Sequence, residues 1–211
     1  MSVWRGQHPL ARGGADHGPA PKIHNSVTHR RHPRQTRRMT WTAPQITRRD
    51  MPAAAGEREM LQGWLDWHRD TLLAKCTGLT PEQLVEASAP PSTLTLLGLV
   101  RHLALVERSW FRERFAGEEI EDLYDLDRNI DADFDDADPA GARTDLATLR
   151  AEIEAADAAV KGRGLDETFV HERTGKELNL RWIYVHMIEE YARHNGHADL
   201  LRERIDGATG D

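Results

Sequence analysis

Trp182-Ile-Tyr-Val-His-Met-Ile-Glu-Glu-Tyr-Ala-Arg-His-Asn-Gly-His-Ala-Asp-Leu-Leu-Arg202 is the stretch on which the reading of this chain turns. At helical spacing, Ile183, Met187, Glu190, His194, His197 and Leu201 fall on one stripe. The stripe begins and ends apolar, as a core-facing surface should, yet its middle is a carboxylate and two imidazoles. Burying ionisable groups without partners is costly, so something in the core must satisfy them. Glu190 and His194 are four residues apart, stacked on one helical face, where both can reach a single cation. A metal ion is the leading candidate.

Working outward, the spacing predicts this last helix over about 179–205, with Gly207 stopping it. Upstream, 165–178 reads as a loop or short hairpin with a turn at Thr174-Gly-Lys. A helix over 139–161 turns Leu146, Leu149, Ile153 and Val160 inward. Another over 95–116 carries Leu96, Leu99, Leu103, Val106 and Trp110. A first one, from about Ala53 to Gly78, buries Met60, Leu61, Trp64, Leu65, Trp67, His68 and Leu72. Thr80-Pro81-Glu82-Gln83 is a capped start for a short helix, and Pro90-Pro91 breaks the chain. The expected architecture is all-α, an antiparallel four-helix bundle. The acidic run over 118–138 lacks the spaced ligands of a calcium loop and reads as a solvated connection.

Charge divides the chain. Residues 1–38 carry eight Lys or Arg against one acid, Asp16, and are rich in histidine without hydrophobic periodicity. They read as a disordered basic extension outside the fold, with 39–211 as the folded domain. The remainder holds 20 bases against 34 acids, which disfavours a nucleic-acid partner for the folded part. The lone Cys76 excludes an intrachain disulfide and a Cys-rich zinc site, and reads as a buried, inert thiol. No apolar run is long enough to span a membrane, and a cytoplasmic location is expected.

A third ligand must come from another helix. His102, between Leu99 and Val106 beside the apolar stripe of the second long helix, is the best offer. His102, Glu190 and His194 form a mixed nitrogen and oxygen set with an open position, as in a catalytic site. Such a set suits zinc, with nickel, iron and manganese still open. His186 and His197, near one turn to either side, are rival ligands or supporting partners. An ordinary charge pair between Glu190 and His194 on a solvated face is the plainer alternative, but it would turn Met187 and Leu201 outward as well.

From Thr40 onward the chain resembles the DinB/YfiT-like superfamily of metal-dependent four-helix bundles. The likeness rests on Leu97-Gly-Leu-Val-Arg-His102-Leu, on Glu107-Arg-x-Trp110, and on His186-Met-Ile-Glu-Glu-Tyr-Ala-Arg-His-Asn-Gly-His197-Ala-Asp-Leu. It implies a metal held by one histidine of the second long helix and two last-helix residues a turn apart, here His102, Glu190 and His194. Many members carry His at the place of Glu190. The Glu form resembles the mycothiol-dependent maleylpyruvate isomerase relatives, whose metal is zinc. At His197 many relatives carry Gln, which favours a supporting role for this histidine. The resemblance further implies a small-molecule substrate and a low-molecular-weight thiol such as mycothiol as cofactor. A thiol-dependent S-transferase or isomerase activity on a small electrophile is therefore expected. A non-catalytic metal-binding or stress-associated bundle and a metal-dependent hydrolase stay open beside it, as does a homodimer through an exposed helix face.

Overall fold

The computed structural model describes residues 41–210. The expectation for 1–38 lies outside them. Helix α1 spans Glu57–Cys76 and α2 Pro81–Leu84; α3 spans Leu96–Glu107 and runs on as a π-helical segment, Arg108–Phe115. A one-turn helix α4, Ala132–Asp135, and a 3-10 turn, Pro139–Gly141, precede α5, Ala142–Ala159. A two-stranded antiparallel hairpin follows, β1 Thr168–Val170 and β2 Glu177–Asn179, pairing Phe169 with Leu178. The last helix, α6, runs Leu180–Asp206. The fold is all-α apart from that hairpin.

Local chemistry sets these boundaries. Thr80 and Gln83 satisfy each other's backbone N–H groups in a capping box ahead of Pro81. The Thr95 hydroxyl accepts from the Gly98 N–H and starts α3, and the Asn179 side chain accepts from the Trp182 N–H and starts α6. Gly207, at φ 78°, takes the left-handed conformation that closes α6, its N–H returning to the Glu203 carbonyl.

The long helices pack α1 on α6 and α3 on α5, with α3 also meeting α1 and α6. In α6 the buried seam is Leu180, Tyr184, Met187, Tyr191, His194, Ala198 and Leu201, alternating steps of four and three. Ile183 is buried beside it, so Ile183, Met187, His194 and Leu201 of the expected stripe face the core, while Glu190 and His197 do not. Tyr191, not Glu190, lies at the seam's centre, because tyrosine buries a large ring while its hydroxyl finds a partner. Tyr184 donates to Gln62 Oε1 at 2.6 Å, and Tyr191 to Glu107 Oε1 at 2.9 Å. Glu190 and His197 therefore flank the seam, half-buried.

Arg69 is the polar joint of the core. Fully buried, it donates to both carboxylate oxygens of Glu107 at 2.7 Å, and to Asp66 at 3.0 Å and Asp157 at 2.9 Å. Burial pushes the Glu107 carboxyl up, and the hydrogen bonds from Arg69 and Tyr191 pull the other way. Residues of α1, α3, α5 and α6 thus converge on one ion-pair network, whose α6 member, Tyr191, follows Glu190 directly. Two sequence expectations fail here. Trp64 is 39% exposed, since Leu65, His68 and Leu72 take the inner face of α1. The acidic stretch is not all solvated: α4 lies within it, and Asp133 is buried. Among the described residues, no helix is long and apolar enough to cross a membrane.

Candidate metal centre

His102 comes from α3 and Glu190 and His194 from α6, where those helices face each other. One ligand-type atom from each of the three lies within 4.8 Å of the others. The rings of His102 and His194 meet edge to face with centroids 4.8 Å apart, and His194 Nε2 lies 3.5 Å from Glu190 Oε2. The side chains of His102, Glu190 and His194 are 23%, 17% and 11% exposed, so the group opens to solvent along one edge. That edge position follows from the seam geometry: groups beside the core stripe can meet without full desolvation.

Each histidine has a partner at its Nδ1. His102 Nδ1 lies 2.8 Å from Asp133 Oδ2, which leaves Nε2 directed elsewhere. The same ring stacks on Phe134, centroids 4.8 Å apart and planes 25° from parallel. Asp133 and Phe134 sit in α4, and Arg101 pins that turn by donating to the carbonyls of Asp133 at 2.8 Å and Ala132 at 3.0 Å. Arg101 also pairs with Asp145 at 3.2 Å. Gly98, one turn before His102, admits the approach: a Cβ there would meet Phe134 Cδ1 at 3.2 Å. His194 Nδ1 lies 3.4 Å from His197 Nδ1, so His197 stands behind His194 rather than among the three.

The local field favours an anionic carboxylate. Contact with His194 is the first cause holding the Glu190 carboxyl below its ordinary range, with His186 and Arg193 adding to it against burial. Burial lowers the pKa of His186 and of His197, keeping both imidazoles neutral near pH 7. His186 Nε2 is 3.8 Å from Glu190 Oε1, and His186, Glu189 and Glu190 make a second group of closely spaced donors. Arg193 pairs with Glu189 and lies 3.9 Å from Glu190 Oε1, which sets a cation against a further metal ion there.

Other groups of chemical interest lie apart from this centre. Cys76 is fully buried, and burial pushes its thiol up to about 12. Arg181 pairs with Glu57 and Asp166 on the surface. Two cavities, of about 330 and 420 Å³, are lined by Arg48, Lys75 and Arg202 and by Trp41, Arg143 and Arg150, away from the three ligand candidates. Sequence reasoning missed Asp133 and Phe134. The signal was there: Ala132 and Phe134 are apolar residues inside an acidic run, which marks a turn that packs.

A family model described as mycothiol-S-transferase matches residues 60–207. The match contains His102, Glu190 and His194 together with α4. No curated protein matches the chain.

Proposed function

The chain belongs to the mycothiol-S-transferase family, within the DinB/YfiT-like superfamily, and we propose that it joins mycothiol or a similar small thiol, through its sulfur, to a small electrophile at a divalent metal held by His102, Glu190 and His194. The observation that carries this reading is the convergence of two imidazoles and a carboxylate from two helices, with His102 braced by a buried carboxylate. That donor set fits zinc, and three protein ligands leave a position for an exogenous group. Bound there, the ion would lower the pKa of a coordinated thiol and hold it as a thiolate.

The protein's own groups divide the remaining work. Asp133 fixes the His102 tautomer, and His197 orients His194. Glu190 serves as a ligand rather than as a free base, since its carboxylate is committed to the two histidines beside it. The thiol proton leaves to solvent at the exposed edge. The sulfur then forms a C–S bond with the acceptor. In a displacement the leaving group departs with its electron pair. In addition to an activated alkene the pair moves to the neighbouring carbon, which takes up one proton from water.

Zinc-loaded protein, mycothiol and a panel of electrophiles test the proposal by loss of free thiol and mass of the conjugate. Conjugates formed faster than in protein-free controls are expected. Hydrolysis of ester or amide substrates without thiol consumption would point to metal-bound water instead. Stoichiometric metal with neither reaction would leave a metal-binding bundle.

A further inference from the structure

An aromatic ledge adjoins the metal ligands and has no part in holding them. Trp182, His186, Glu190 and His194 form one row of α6 at four-residue spacing, each step advancing about 6 Å along the axis. Trp182 and His186 are stacked, with centroids 4.9 Å apart and planes 20° from parallel. Trp110, from the π-helical segment after α3, meets His186 edge-on at 4.6 Å and Trp182 at 5.2 Å. The wider π turn, of a kind common beside functional sites, brings Trp110 to this row. His171, after β1, lies 5.5 Å from Trp110; it is 94% buried, and its Nδ1 has no hydrogen-bond partner among the described residues. Yet Trp182 is 40% exposed. Ring surface is thus held rigid on one side and open on the other, leading from the carboxylate of Glu190 outward.

From this we infer that the ledge of Trp182, Trp110 and His186 is the acceptor subsite, and that it selects elongated planar electrophiles whose reactive carbon lies at one end. The inference rests on the proposed thiol transfer for the identity of the reaction, though not for binding. Length follows from the row: the ledge begins at His186, one step or about 6 Å along the axis from Glu190, and continues through the Trp182 ring stacked on it, so an acceptor reacting at the metal reaches it only through a ring carried beyond its reactive end. Planarity follows from the surface of Trp182 and His186, which offers ring faces and edges; the unmet His171 nitrogen is buried beneath it, and the Arg114 guanidinium lies over the Trp110 ring, 4.9 Å from its centroid. A polyhydroxylated ligand such as a sugar-bearing thiol would leave most of its hydroxyls unpaired there. The thiol and the acceptor consequently approach the metal from different sides.

N-phenylmaleimide and N-ethylmaleimide share the same reactive alkene and differ only in the distal group. Their saturated analogues, N-phenylsuccinimide and N-ethylsuccinimide, cannot react. With zinc-loaded full-length protein, N-phenylsuccinimide should shift the indole N–H resonances of Trp110 and Trp182, and N-ethylsuccinimide should not. Trp182→Leu, which fills space without a ring, should weaken that binding about tenfold, an effect of the size ring stacking supplies, and Trp182→Phe should retain most of it. The ratio of kcat/KM for N-phenylmaleimide over N-ethylmaleimide should fall about tenfold in Trp182→Leu and much less in Trp182→Phe. Binding without turnover by any thiol would sink the transferase reading and leave the subsite standing. Unshifted indole resonances, or equal binding by the Leu and Phe variants, would overturn the subsite itself.

Discussion

Asp133 Oδ2 lies 2.8 Å from His102 Nδ1, a buried carboxylate set against one ring nitrogen of a ligand candidate. Such a carboxylate fixes ring orientation and tautomer and raises the basicity of the other nitrogen. Asp133→Asn keeps the shape and removes the charge. It should lower zinc affinity by roughly 10–100-fold, read by competition with a chromogenic chelator. The thermal midpoint of the metal-free protein should stay close to wild type, because α4 is held by Arg101 through backbone carbonyls that the substitution leaves in place.

Gly98→Ala tests the same brace from the other side. The new Cβ would crowd the Phe134 ring at 3.2 Å and the Thr95 hydroxyl at 3.1 Å. Helix propensity gains about 1 kcal/mol and crowding costs about as much, so stability should change little. Zinc affinity should fall nonetheless, since Phe134 cannot yield without moving away from His102. Unchanged affinity would mean that the position of α4 does not govern the metal centre.

Removing the cation at the core joint should be far more damaging. Arg69→Met leaves Glu107 buried with one hydrogen bond, from Tyr191, and should cost about 3–5 kcal/mol in urea denaturation. Adding Glu107→Gln should restore a large part of that loss, because a neutral amide needs no counter-charge. A single-variant loss below about 1 kcal/mol would contradict the burial of this pair.

Stability should also depend on His68. Burial lowers its pKa below the ordinary 6.5, and its Nδ1 lies 3.3 Å from the Asn195 amide nitrogen, a contact suited to the neutral ring. The unfolded chain then binds a proton more readily than the folded one. Stability is fully present above about pH 6.5 and declines as the pH falls below that value. In His68→Gln the slope of unfolding free energy between about pH 6.5 and 5 should be shallower than in wild type.

The long helices were legible in the sequence because their apolar residues repeat at helical spacing and their ends carry caps: Thr95, Asn179 and Gly207 all sit where the pattern stops. The meeting of His102, Glu190 and His194 was legible because an imidazole on a core-facing helix stands out against leucines. What periodicity could not show was anything that acts across elements. Arg69 and Glu107 look like ordinary charges of a helix face until their helices pack. Asp133 is one acid among many, and its burial depends on Gly98 letting Phe134 approach α3. The stripe of α6 held at Ile183, Met187, His194 and Leu201 but not at Glu190, for a similar reason: Tyr191 reads as less apolar than its surroundings, and the Glu107 carboxylate across the core explains its burial.

Metal content tests the central claim most directly. Full-length wild type, His102→Ala and His194→Ala are purified alike, equilibrated with zinc, freed of excess and analysed for bound metal. Wild type should retain one ion per chain, and both variants should lose it while keeping their helical content. Stoichiometric zinc in both variants would contradict a centre built on His102, Glu190 and His194.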